Sequence, residues 1–159
     1  MSSTYPVPDV PQVRELLGML FDGLSVKAGP KLDVSPKAGS YFGVYVADDG
    51  APAALCGCDL AFAANSGAAL SMLPPNVAKE AAKSKDLTPV MLANLHEVMN
   101  ICTRLVLRDD TPHLKLREMC PISTLPAPAA AILTAAKARI DFEIGIGKYG
   151  PGILSVLCL

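Results

Sequence analysis

The sequence predicts an α+β fold in which helices cover a mostly antiparallel β-sheet. The chain has 159 residues, of which 51% are apolar and 5% aromatic, so it can bury the core of one domain of ordinary size. Residues 113–119 and 139–144 alternate apolar and polar side chains, as half-buried strands do, whereas residues 88–107 keep the helical period. The order of helix, strands, helices, strand and terminal hairpin favours an antiparallel sheet.

The first predicted element is an amphipathic helix over residues 9–22. Asp9 is its expected N-cap, Pro11 lies in the first turn, and apolar residues recur at helical spacing. A short strand is expected after it, over residues 24–27. We expect residues 1–8 to form a flexible segment, and all 159 residues to form a single domain.

A β-hairpin is predicted next, with strands at 41–46 and 53–63 and a turn at Asp48-Asp49-Gly50. A short helix is expected from Asn65 to Met72 or Leu73, where two prolines follow. Asn76 is the expected N-cap of another short, charged helix that ends near Lys83.

The most regular predicted element is a long helix that begins after the N-cap Thr88, has Pro89 at its first position and continues to about Leu107. At about 100° per residue, one face is apolar and is expected to pack on the sheet. Its residues are Met91, Leu92, Leu95, Val98, Met99, Cys102, Leu105 and Val106. The opposite face presents Ala93, Glu97, Asn100 and Arg104.

The remaining elements are a strand at 113–119, a short helix or loop at 126–136, and a terminal pair of strands at 139–144 and 153–159. Between the last two, Gly145-Ile146-Gly147-Lys148-Tyr149-Gly150 has the spacing of a phosphate-binding glycine loop. Such a loop needs a helix directly after it, and Pro151-Gly152 is followed by a β-like segment. We therefore interpret the glycines as a hairpin turn.

Composition excludes several classes of function. A net charge of -1 gives no basic excess for nucleic acid, and no apolar run reaches the roughly 18 residues that cross a bilayer. The amino terminus lacks a secretory pattern, so we expect a cytoplasmic protein. The five cysteines have apolar neighbours and are expected to be reduced core thiols. The two histidines, His96 and His113, have no partner at metal-ligand spacing.

Glu97 and Asn100 stand one turn apart on the polar face of the long helix, which by itself is also consistent with an ordinary solvated surface. Asn is a poor choice for an exposed mid-helix position, which favours a functional use. The segment Leu95-His96-Glu97-Val98-Met99-Asn100-Ile101 resembles the Glu-x-x-Asn motif of the CheC/CheX/FliY chemotaxis phosphatases. Pro121, about twenty-one residues further on, resembles the family's proline. The chain has one Glu-x-x-Asn motif, and in this it is similar to the single-site CheX members of the family.

The resemblance implies a CheX-like fold and hydrolysis of the phosphoaspartate of a CheY-like receiver domain. Asn100 would then orient the attacking water through its amide, and Glu97 would pair with the lysine beside the receiver's phosphorylation site. Mg²⁺ would belong to the receiver, so no cofactor or metal is expected in this chain. A homodimer is a further expectation.

Two alternative functions are also consistent with the sequence. Ala93 stands where the family has Ser or Asp, four residues before the Glu, which favours a non-catalytic adaptor that binds a regulator or a motility complex. A self-associating structural domain, paired through an exposed sheet edge, is the other.

Overall fold

The computed structural model describes residues 3–159, in which six strands form one sheet. The strands are β1 (Leu24–Ala28), β2 (Tyr41–Val46), β3 (Pro52–Cys58), β4 (Lys115–Pro121), β5 (Ala138–Ile146) and β6 (Gly150–Cys158). Their order across the sheet is β1-β5-β6-β3-β2-β4, and every neighbouring pair is antiparallel. The α+β fold class predicted from the sequence is confirmed.

Helices lie on both faces of the sheet. They are α1 (Val10–Gly18), α2 (Leu60–Leu70), α3 (Pro75–Ser84), α4 (Pro89–Ile101), α5 (Ala127–Ala130) and α6 (Ile132–Ala135). On one face, Tyr45, Cys56 and Phe142 belong to a large core with α1 to α4. On the other face, Phe42 and Leu55 belong to a smaller core with α5 and α6. Alternate residues of the central strands thus serve different cores, which explains why β2 and β3 are buried almost throughout.

Helix α1 begins where the sequence predicts. The Asp9 carboxylate accepts a hydrogen bond of 2.9 Å from the Gln12 backbone N–H, and the Gln12 side chain accepts one of 2.9 Å from the Asp9 N–H. The helix ends at Gly18 rather than near residue 22, because Leu20 and Phe21 both donate to the Leu17 carbonyl in a closing turn.

The start of α2 corrects the sequence prediction of a strand over 53–63. Asp59 ends β3, since its carboxylate accepts hydrogen bonds of 2.8 Å from the Phe62 N–H and 3.0 Å from the Ile153 N–H. Burial raises the pKa of Asp59 above its ordinary value, and these two N–H groups partly offset that shift. Residues 62–68 are buried on all sides, so their apolar pattern carries no helical period.

Several other boundaries also differ from the predictions. Helix α3 starts at Pro75, after Pro74, so Asn76 is inside the helix and is not its N-cap. Strand β4 starts two residues later than expected, at Lys115, and ends at Pro121. Residues 126–136 form the two short helices α5 and α6. The glycine-rich segment forms a 3₁₀ turn at Gly147–Tyr149 between β5 and β6, so its interpretation as a hairpin turn is confirmed.

In the described part of the amino-terminal segment, for which the sequence predicts flexibility, two residues contact the rest of the chain. Tyr5 is only 4% exposed, and the Thr4 N–H donates to the Leu159 carbonyl at 3.2 Å. The apolar content of this short segment is too low to reveal that contact in the sequence. For residues 1 and 2 the expectation falls outside the described residues.

Four cysteines are buried free thiols, as the sequence predicts: Cys56, Cys58, Cys102 and Cys158. Cys120 is half-buried. Burial raises the pKa of the Cys58 thiol, and that of Cys158 to about 12. A hydrogen bond with Cys56, together with burial, raises the pKa of Cys102. Within residues 3–159, no helix is both long and apolar enough to cross a bilayer.

Candidate functional site

Helix α4 carries the two candidate residues, Glu97 and Asn100. The Thr88 hydroxyl caps it by accepting a hydrogen bond of 3.2 Å from the Met91 N–H, and Pro89 occupies the first position, as predicted. The α-helix ends at Ile101, and Cys102–Val106 continue as a 3₁₀ helix up to the predicted end near Leu107. The site therefore lies on a regular element rather than on a loop.

The apolar face of α4 packs directly on the sheet. Met91, Leu95, Val98 and Met99 are each 0% exposed. A Cβ built on Gly43 of β2 would lie 3.1 Å from the Met99 Cβ, so the helix sits close to the strand at this point. The Tyr45 hydroxyl, fully buried, donates a hydrogen bond of 2.6 Å to the Met99 carbonyl. These contacts fix the rotation of α4 about its own axis.

Helix α2 holds α4 from the side. A Cβ on Gly67 would lie 2.8 Å from the Met91 carbonyl oxygen, so only glycine allows the two backbones to approach this closely. The Asn94 side-chain amide donates to the Gly67 carbonyl at 2.7 Å and to the Ser71 hydroxyl at 2.7 Å. The sequence does not predict this role of Asn94, because an asparagine between the apolar residues Ala93 and Leu95 carries no signal of its partner.

Glu97 and Asn100 both point to solvent on consecutive turns of α4, as the helical period predicts. Neither side chain takes part in the hydrogen bonds or ion pairs formed within residues 3–159. Ala93 and Arg104 are exposed on the same side, one turn before and one turn after the pair. The carboxylate and the amide are thus free to contact another molecule.

Pro121, which the resemblance matches to the family's proline, lies outside α4. Pro121 is the last residue of β4, where it pairs with Tyr41 of β2. This edge strand belongs to the part of the sheet that α4 covers, because Leu116 of β4 and Met99 of α4 both lie against Gly43. His96 is exposed and makes no hydrogen bond within residues 3–159.

The side chains of Glu97 and Asn100 are exposed at the surface. A cleft of about 600 Å³ lies between the carboxyl ends of α1 and α2 and the β5–β6 turn, where Asp22, Met72 and Lys148 line it, and it includes neither Glu97 nor Asn100. Among the described residues, no three His, Cys, Asp or Glu side chains come together in a group that could hold a metal ion. The arrangement offers one negative charge and one amide to a docked macromolecule.

Comparison with solved structures identifies the fold. A chain of the CheX–CheY complex with BeF₃ and Mg²⁺ from Borrelia burgdorferi aligns over 94% of this chain and 97% of its own, with a TM-score of 0.54 and 13% identity. The chain has a CheX-like fold. The FliM middle domain from H. pylori also aligns, over 94% of this chain and 82% of its own, with a TM-score of 0.44 and 8% identity.

No protein-family model and no curated protein matches the chain. The similarity to CheX therefore lies in the arrangement of the elements, while the sequence identity is only 13%. Within this fold, α4 is the helix on which the Glu-x-x-Asn resemblance places its motif.

Proposed function

We propose that the chain is a phosphatase that hydrolyses the aspartyl phosphate of a CheY-like receiver domain, in chemotaxis or related two-component signalling. The observation that carries the proposal is the exposed, unpaired Glu97 and Asn100 on consecutive turns of the rigid helix α4 of a CheX-like fold. The structure in which the similar fold occurs is a complex with CheY and the phosphoryl analogue BeF₃, which supports a receiver as the partner.

In this reaction the chain positions the attacking water and the docked receiver. A water oxygen attacks phosphorus, the bond between phosphorus and the receiver's aspartate oxygen breaks, and the products are inorganic phosphate and the free carboxylate. Asn100 holds that water in line, because its amide can both donate to and accept from it. Glu97 pairs with the receiver's lysine and so fixes the docked geometry. The receiver supplies the Mg²⁺ that neutralises the phosphoryl oxygens.

The surroundings of α4 suit a positioning role. A docked partner pushes on the helix, and a displacement of about 1 Å at the reacting water costs on the order of 100-fold in rate. Tyr45 ties α4 to the sheet at Met99, between the two motif residues, and Asn94 ties it to α2 one turn before Glu97. The motif residues therefore keep their spacing when a partner binds.

A non-catalytic adaptor is the second candidate, and Ala93 favours it. This exposed methyl group stands one turn before Glu97, where Ser or Asp in the family would offer a hydrogen-bonding group. Under this alternative the chain binds a receiver or a motility complex without hydrolysis. A homodimer is a separate proposal, supported by the two edge strands β1 and β4 of the open sheet, and sedimentation of the purified protein tests it.

The test follows phosphate release from phosphorylated CheY-like receivers of the same genome, with and without this protein. Asn100→Ala is expected to lower the rate constant at saturation on the order of 100-fold. Glu97→Gln is expected to weaken receiver binding. Helix α3 offers matched controls, since Asn76 and Glu80 are also exposed, and Asn76→Ala and Glu80→Gln are expected to leave both quantities unchanged.

Each outcome has a defined meaning. Release no faster than the receivers' own decay would exclude catalysis, and binding of the beryllofluoride-loaded receiver would then support the adaptor. Unchanged acceleration by Asn100→Ala would disprove the site assignment but not the activity.

A further inference from the structure

Arg104 extends the exposed face of α4 beyond the motif. It lies in the 3₁₀ segment Cys102–Val106, is exposed, and forms no hydrogen bond or ion pair within residues 3–159. With a rise of about 1.5 Å per α-helical residue and about 2.0 Å per 3₁₀ residue, its Cα stands roughly 7–8 Å along the axis from that of Asn100. The cation is therefore a close neighbour of the proposed reacting centre.

A partner whose interface is of standard size and centred on Asn100 covers Arg104 as well. A stable interface buries about 800 Å² on each partner, which corresponds to a disc of roughly 16 Å radius. A disc centred on Asn100 reaches well past Arg104. Burial of an arginine without a counter-charge is costly, and Arg104 forms no ion pair with Glu15 of the same cleft, so a carboxylate on the partner favours binding.

A cleft beside Arg104 has room for that carboxylate. It measures about 210 Å³, lies between α1 and the 3₁₀ segment, and is also lined by Glu15, Met19 and Arg108. Arg108 is already fixed, since its guanidinium donates to the Leu107 carbonyl at 2.8 Å, the Leu105 carbonyl at 3.2 Å and the Gln12 side-chain oxygen at 3.1 Å. Arg104 is the guanidinium of this cleft whose donors are free.

The rim of the cleft also favours an apolar residue beside the partner's carboxylate. Met19, which follows the last residue of α1, is 68% exposed and lines the same cleft as Arg104. A flexible thioether side chain at the surface can cover an apolar neighbour of the incoming acid. The Glu15 carboxylate, on the α1 side of the cleft, repels an acid that enters there and so favours an approach from the Arg104 side.

We propose that Arg104 is a partner-selecting residue, which pairs with an aspartate or glutamate on the surface of the docked receiver domain. This inference rests on the proposed function, and it specifies the partner. The receiver must present a cation to Glu97 and, roughly 12 Å away along the axis of α4, a carboxylate to Arg104. Receivers that lack the carboxylate bind more weakly, because Arg104 is then covered without a partner.

The test measures binding of each beryllofluoride- and Mg²⁺-loaded CheY-like receiver of the same genome to the full chain, and the dephosphorylation rate at saturation. Arg104→Ala is expected to raise Kd about 10-fold and Arg104→Glu by more than about 30-fold, with the saturated rate unchanged. Lys79→Glu is the matched control, because Lys79 is exposed on α3 and gives the same change of net charge. It is expected to change Kd less than about twofold.

A charge reversal on the receiver completes the test. An acidic receiver residue changed to lysine should restore binding to Arg104→Glu and weaken binding to the unchanged protein. A Kd for Arg104→Glu within twofold of the unchanged protein would overturn the inference and leave the proposed function standing. A fall in the saturated rate at constant Kd would also overturn it, in favour of contact with the phosphoryl group. Failure of the unchanged protein to bind any receiver would overturn both proposals.

Discussion

The side-chain amide of Asn94 on α4 donates a hydrogen bond of 2.7 Å to the backbone carbonyl of Gly67 on α2. That carbonyl is one of the last four of α2, which a helix leaves short of donors at its end. One side chain thus closes the end of α2 and fixes the helix that carries Glu97 and Asn100.

Replacement of Asn94 by alanine is expected to lower the free energy of unfolding by about 1–2 kcal/mol. The change removes the bonds to Gly67 and Ser71, and the carbonyl of the buried Gly67 loses a donor. Urea denaturation followed by circular dichroism measures the effect. His96→Ala, at an exposed position two residues further along α4, is expected to stay within about 0.5 kcal/mol. Equal losses in the two variants would contradict the role of Asn94.

The close approach of α2 and α4 predicts opposite effects of two glycine substitutions. Gly67→Ala places a Cβ 2.8 Å from the Met91 carbonyl oxygen and 2.9 Å from the Met91 Cα, so the helices must move apart, at a cost of about 1–3 kcal/mol. Gly18→Ala, in α1, meets no atom within 4 Å and gains helix propensity of up to about 1 kcal/mol. Thermal unfolding of both variants decides this, and an unchanged midpoint for Gly67→Ala would disprove the tight packing.

Tyr45→Phe is expected to destabilise the protein by about 1–2 kcal/mol, because the buried hydroxyl donates to the Met99 carbonyl at 2.6 Å. Tyr41→Phe serves as the control, since the Tyr41 side chain is half-buried and its hydroxyl makes no hydrogen bond within residues 3–159. Chemical denaturation compares the two. If Tyr41→Phe costs as much as Tyr45→Phe, the bond to Met99 does not stabilise α4.

Stability is expected to fall at alkaline pH because of the buried thiols. In the folded protein burial raises the pKa of Cys158 to about 12, and the pKa of Cys58 also lies above its ordinary value. Unfolded thiols ionise near pH 8.5, so the stabilisation is fully present below that pH and is lost as the pH rises towards the folded pKa.

Urea midpoints at pH 7 and pH 10 measure this loss. Lysines also titrate in this range, so the decisive quantity is the difference between the unchanged protein and Cys158→Ala. The variant lacks one thiol with a raised pKa, and its midpoint should fall less between the two pH values. An identical fall in both proteins would argue against a protonated Cys158 in the folded state.

Local sequence patterns predict where several elements start and which of their residues are exposed. The capping residues Asp9 and Thr88 start α1 and α4 as predicted, because a cap acts through hydrogen bonds within one helical turn. The same holds for the exposure of Glu97 and Asn100, which follows from the period of the helix alone. The pairing order of the six strands does not follow from such local rules.

The tertiary structure decided what depends on partners distant in sequence. Helix α2 starts at Leu60, where the Asp59 carboxylate accepts from the Phe62 N–H and also from the Ile153 N–H, 94 residues away, and the all-round burial of α2 erased the periodic signal. Three other features likewise arise only when separate elements pack. They are the hydrogen bonds of Asn94, the closeness of Gly67 to Met91 and the position of Arg104 beside α1. The sequence by itself determined which residues of α4 face outward, since helical geometry is local. Only the packing of α4 against other elements decided how rigidly these outward-facing residues are held and which charged groups lie beside them.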